Sequence, residues 1–139
     1  LLEGYSAGDR DILPAMAKFS AFLCEVFPGG ESYLLPSPEK GSACKRLNLM
    51  FRWLVRQDDV DPGGWRNVPQ AKLIVPLETH MFQIASVLGL TKRKAADLKT
   101  AVEITRKFAE FAPDDPVKYD FALTRFGIHP EISKSSLLA

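Results

Sequence analysis

Apolar side chains recur three and four residues apart over most of the chain, the period of a helix buried along one face. Ile12, Met16, Phe19, Phe22, Leu23 and Val26 keep this spacing, with Asp11 placed as an N-cap and Pro14 tolerated in the first turn. Pro28-Gly29-Gly30 stops that helix, and Tyr33 to Gly41, with Pro36 and Pro38, reads as an irregular connector. A second helix is predicted from Ser42 as its cap, carries Cys44, Leu47, Met50, Phe51 and Leu54, and ends before Asp58-Asp59. Asp61-Pro62-Gly63-Gly64 is a loop, and Trp65 to Val68 allows one short helical turn.

Lys72 to Pro76 is the one strand-like run. With a proline at its end and no apolar partner run, it reads as a buried extended connector. A third helix runs from Thr79 to Leu88, with Met81, Ile84, Ala85 and Leu88 inward and Gly89 as its stop. A fourth, from Lys92 to Phe111 with Thr91 as cap, turns Ala95, Leu98, Val102, Thr105, Phe108 and Phe111 inward, and Pro113 ends it. Asp115-Pro116, a cap followed by proline, starts a fifth that runs to Phe126 and closes at Gly127, leaving a frayed tail from Lys134 to Ala139. The fold expected is an all-α domain of about five helices spanning 1–139, with no sheet of three or more strands.

Composition narrows the class without changing this picture. The 139 residues are 46% hydrophobic and 25% charged, which excludes a disordered or collagen-like chain. A chain of this length buries enough surface for a core without disulfides or metals. Eighteen basic against seventeen acidic residues give a net charge of +1, so any basic site must be local. Cys24 and Cys44 are too few for a disulfide framework or a metal–sulfur site. No apolar run approaches the ~20 residues of a membrane span, and no signal-peptide pattern is present, so a cytoplasmic location is expected. The first residue is Leu1 rather than Met, and the chain reads as a fragment.

Three segments carry candidate chemistry. Lys45 and Arg46 stand in the first turn of a helix, where unpaired N–H groups and the dipole prefer anions. Basic residues there suggest a phosphate ligand or a chemically active amine, against the commoner solvated lysine. Glu78 falls where the apolar extended run meets a helix start, as a capping acceptor or as a partly desolvated general base. His80 lies two residues on, poor spacing for a metal, with His129 far off in sequence, and reads as a structural histidine. Thr91-Lys92-Arg93-Lys94 is a second basic helix start, suited to phosphate or to plain solvation. Trp53, Trp65 and the nine phenylalanines are mostly core at these spacings.

Taken in order, a lysine at a helix start, an apolar helix, Val75-Pro76-Leu77-Glu78-Thr79-His80-Met81-Phe82 and a helix end at Leu88-Gly89-Leu90 resemble the helix-hairpin-helix DNA glycosylases. In that superfamily a Leu-Pro-Gly-Val-Gly-x-Lys hairpin leads one helix and a Val-Asp-Thr-His motif opens the next. More closely, and over most of the chain, Gly41 to Arg56 and Leu73 to Ile128 resemble a bacterial family of unknown function with members about twice this length. This resemblance implies that the chain is the C-terminal half of a longer protein.

The glycosylase resemblance implies roles residue by residue. Lys45 stands where the Schiff-base lysine stands and Glu78 where the catalytic aspartate stands, while Thr79 and His80 match the motif directly. Arg46, Lys92, Arg93 and Lys94 would contact the phosphates of duplex DNA. The chain departs from the pattern in three ways. Leu35 to Gly41 lacks the Gly-Val-Gly hairpin, the interval from Lys45 to Glu78 is longer by roughly the loop from Asp58 to Asn67, and Glu replaces Asp. The four-cysteine cluster loop of some glycosylases is absent, and no cofactor or metal is expected. The function implied is a DNA glycosylase or abasic-site lyase acting on damaged or modified bases, in DNA repair. The alternative is a helical module without catalysis that binds DNA, or packs against a missing N-terminal half.

Overall fold

The computed structural model describes residues 4–27 and 36–128, and over them the chain forms five α-helices and no β-strand. Helix α1 spans Leu13–Val26, α2 Lys45–Val55, α3 Thr79–Val87, α4 Leu98–Phe111 and α5 Asp120–Ile128. An isolated backbone bridge joins Gln57 to Pro62.

Helices α1 to α4 contribute buried stripes to the interior. Met16 comes from α1, Leu47, Phe51 and Val55 from α2, Met81, Ile84 and Ala85 from α3, and Ala101, Ile104 and Phe108 from α4, all buried. Burying a side chain of this size stabilises by about 1.5–3 kcal/mol, so the stripes rather than intrinsic propensity hold the helices in place. Leu73, Ile74, Val75 and Leu77 run through this core as extended backbone, which is why the strand-like run forms no ladder. It is held instead by the Val75 N–H, which donates to Thr105 Oγ1 at 3.0 Å. Nearby, α3 packs against α5.

The turns have local causes. Asp58 Oδ1 accepts from the N–H groups of Val60 and Asp61 at 2.8 Å each, closing a tight loop after α2. Gly63 sits at φ +71°, and a Cβ there would lie 2.7 Å from Gln57 Cβ, so only glycine fits. The N–H groups of Gly63 and Trp65 donate to the carbonyls of Trp53 and Leu54, folding the loop back along α2.

Several sequence expectations are corrected. The fourth helix starts at Leu98, because Asp97 caps it by accepting from the Thr100 N–H at 2.9 Å. Thr91 instead accepts from the Arg93 N–H and donates to Glu103, which leaves 92–97 outside the helix. The inward stripe of α4 is consequently turned toward Ala101, Ile104, Thr105 and Phe108, and Phe111 is 71% exposed. The fifth helix begins at Asp120, since the Asp115 carboxylate is drawn to Arg56 and residues 116–119 form turns. Trp65 to Val68 is not helical; the short 3-10 turn falls at Gln70–Lys72. Cys44, not Ser42, is the N-cap residue of α2, at φ 47°, an uncommon conformation for a side-chain-bearing residue. Pro28-Gly29-Gly30, Tyr33, His129 and the segment Lys134 to Ala139 lie outside the described residues.

Candidate functional site

Helix α2 has two working faces. Leu47, Phe51 and Val55 enter the core, while Lys45, Leu49, Arg52 and Trp53, at i, i+4, i+7 and i+8, share the opposite side. That side forms one wall of a cleft of about 690 Å³. Helix α5 supplies a second wall through Asp120, Phe121 and Arg125, and Glu78 reaches in from the start of α3. A volume of this size lies within the ~300–1,000 Å³ usual for small-molecule sites.

At the cleft, Lys45 Nζ lies 2.5 Å from Glu78 Oε2, with 47% of the lysine side chain and 19% of the glutamate side chain exposed. Glu78 occupies the N-cap position of α3, but its side chain makes no capping bond there. One carboxylate oxygen is turned to Lys45, and the other, Oε1, is buried with no hydrogen-bond partner among the described residues. An unsatisfied acceptor of this kind costs about 1–3 kcal/mol, a penalty that a bound donor would relieve. The lysine itself follows directly on Cys44, whose left-handed backbone turns the chain into α2.

Behind this pair sits a buried ion network. Arg52 Nε donates to Asp61 Oδ2 at 3.0 Å and Arg52 Nη1 to Asp120 Oδ2 at 2.5 Å, with side chains 3%, 0% and 6% exposed. Arg56, one turn on, pairs with the same Asp61 oxygen, with Asp58, and through a two-pronged contact of 3.0 Å with Asp115. Two guanidinium groups thus face four carboxylates. Asp58 is held below the usual carboxylate range by the backbone N–H groups of Asp61 and Val60, with Arg56 adding to the effect. Asp120 goes the other way: burial pushes its carboxyl up to about 6 although Arg52 opposes the rise, and the nearby Glu78 charge adds to it. Burial also pushes the Cys44 thiol up, against the Ser42 hydrogen bond.

The remaining sequence candidates lie elsewhere. Arg46 is exposed on α2, as are Lys92 and Lys94 ahead of α4. Arg93 is engaged at the α4 N-terminus, where Nη2 contacts Asp97 at 2.5 Å and Nε donates to Thr100 Oγ1 at 2.8 Å. A hydrogen bond of 3.0 Å from Leu98 N–H to the Gly41 carbonyl joins the two segments that carry these basic groups. Thr79 is exposed and His80 half-buried. Among the described residues no group of three or more His, Cys, Asp or Glu is arranged to hold a metal ion. No helix there is long and apolar enough to cross a membrane.

Sequence reasoning missed Arg52, Asp120 and the aromatic pair at the cleft. Trp53, expected in the core, is 46% exposed, and Phe121 is 40% exposed. One signal was available: Arg52 and Arg56 repeat at i, i+4 beside an apolar helix face, a like-charge pair that needs carboxylate partners. Nothing local pointed to Asp120, 68 residues away from Arg52. No curated protein and no solved structure matches the chain. A family model matches residues 2–129, and on that match the chain belongs to the family described as "Protein of unknown function (DUF2400)".

Proposed function

We propose that this domain acts on damaged or modified bases in DNA as a glycosylase with lyase character, with Lys45 as the amine nucleophile and Glu78 as its base. The observation that carries the reading is the 2.5 Å contact between the lysine amine and a carboxylate whose other oxygen is buried and unpaired, at a cleft. Proton transfer needs a heavy-atom approach of about 3 Å, and this pair meets it. In the proposed step Glu78 takes a proton from the Lys45 ammonium, and the freed lone pair bonds to C1′ of the sugar. The glycosidic bond to the base breaks, the base leaves with the bonding electrons, and the proton held on Glu78 passes to it. The ring oxygen then leaves C1′, taking a proton from the attached nitrogen, and the opened sugar is joined to Lys45 by an imine. Such chemistry requires the base to leave the stack, and a cleft bordered by exposed aromatic rings suits an extruded base. Arg46, Lys92 and Lys94 would meet phosphates, while Arg93 serves α4.

Borohydride trapping of the full-length protein on duplex DNA bearing an abasic site tests the reading. A covalent adduct should form, disappear in Lys45→Ala and slow at least 100-fold in Glu78→Gln with DNA binding retained. Equal trapping in Lys45→Ala, or no adduct from the natural protein on any of a panel of lesions, would leave a helical module without catalysis.

A further inference from the structure

Asp120 is the least expected group at the cleft. Its side chain is 6% exposed, yet it contributes to the lining. Oδ2 is committed to Arg52 Nη1 at 2.5 Å. Among the described residues Oδ1 has only the Thr124 hydroxyl, at 3.5 Å, beyond the 2.5–3.0 Å of an ordinary O–H···O bond. A carboxylate offers about four lone-pair positions, so Oδ1 retains accepting capacity that the protein does not use. Because Arg52 is itself pinned by Asp61 at 3.0 Å, the acceptor is held in one orientation. Two apolar rings, Trp53 on α2 and Phe121 on α5, line the same cleft and are partly exposed.

We propose that Asp120 is the specificity-determining residue of the cleft, accepting at Oδ1 a hydrogen bond from a ring N–H or amino group on the edge of a nucleobase that lies against Trp53 and Phe121. The ligand class rests on the base-processing reading above; the donor–acceptor match rests on Asp120 itself. Flat π-faces bind bases without regard to sequence, so the rings supply contact and the carboxylate supplies choice. A base with an alkylated nitrogen at that edge, or one presenting only acceptors, would leave the carboxylate facing a lone pair or a methyl group. The charged groups that face Asp120 are Arg52 from α2 and Glu78 ahead of α3, with Asp61 acting through Arg52. A proton on Asp120 converts the acceptor to a donor and removes the preference. Burial places that change near pH 6.

The test uses the full-length protein, reads the Trp53 signal as the difference from Trp53→Phe, and titrates guanosine and N1-methylguanosine at pH 7.5 and pH 5. Saturable quenching by guanosine should be about tenfold tighter than by the methylated nucleoside at pH 7.5, with the difference lost at pH 5. Asp120→Asn should abolish the pH dependence, and should that variant not fold, the pH arm on the natural side chain decides alone. Absence of saturable quenching by guanosine, adenosine and cytidine, or equal affinities for both nucleosides at both pH values, would overturn the inference. Discrimination without any borohydride-trapped adduct would leave it standing and remove the lyase chemistry. An adduct without discrimination would do the reverse.

Discussion

Replacing Asp120 by Asn should alter the pH dependence of stability with the opposite sign from most ion-paired carboxylates. Burial raises this carboxyl from 3.8 to about 6 despite Arg52. Below pH 3.8 it is protonated in folded and unfolded chains alike, and its contribution to stability is fully present. As the pH rises from there to about 6, the unfolded chain has released the proton while the folded chain keeps it, so stability falls. Above this range both states are ionised and the loss is complete. At 1.36 kcal/mol per pH unit, the interval corresponds to about 3 kcal/mol. Asparagine does not titrate. The stability of Asp120→Asn minus that of the natural chain should therefore shift by about 3 kcal/mol in favour of the variant between pH 3.5 and pH 7. The difference is the quantity to measure, because Asp58 and Asp97, both held below their ordinary range by backbone hydrogen bonds, stabilise in the opposite direction and cancel between the two proteins. Urea unfolding followed by circular dichroism at several pH values reads it. A difference that stays flat, or that grows toward acid in favour of the variant, would refute the reasoning.

Arg52→Leu leaves Asp61 and Asp120 buried without their shared partner, and should cost about 3–5 kcal/mol in urea unfolding. Arg52→Lys should recover little of it, since one ammonium cannot span both carboxylates as the guanidinium fork does; near-complete recovery would argue against that geometry. Asp97→Ala removes the cap of α4 and the Arg93 contact, and should lower stability by about 1 kcal/mol, read as a fall in Tm, with Asp97→Asn retaining most of the cap.

What was legible in the sequence depended on how far apart the cooperating groups lie. Helix α3 could be placed almost to the residue, because the apolar run ends at Leu77, and Gly89, at φ +71°, marks the stop. The start of α4 could not, because Thr91 and Asp97 are both competent caps, and it is contacts beyond the local pattern that engage Thr91 with Glu103 and brace Asp97 with Arg93. Asp115 was misread for a related reason: its position before Pro116 is that of a cap, but a two-pronged pairing with Arg56, 59 residues away, outcompetes a single backbone N–H. Glu78 was ambiguous between cap and base, and its side chain turns to Lys45 rather than to its own helix. The spacing of Trp53 points to the core, whereas its side of α2 faces the cleft. Periodicity shows that a helix has an inner face; it does not show that the outer face borders a cavity.

The ion network also dictates an order of assembly. Arg52 and Arg56 meet Asp61 across intervals of only nine and five residues, so these contacts can close as soon as α2 and its following loop exist. The contacts to Asp115 and Asp120 span 59 and 68 residues. Closing a loop of 68 rather than nine residues costs about 2 kcal/mol more in chain entropy, before any contact on α5 repays it. On a ribosome, both arginines would be partly neutralised by Asp61 long before α5 emerges. The cleft, whose second wall is α5, would then be completed only when that helix docks, so the site waits on the most distant of its ion-pair partners.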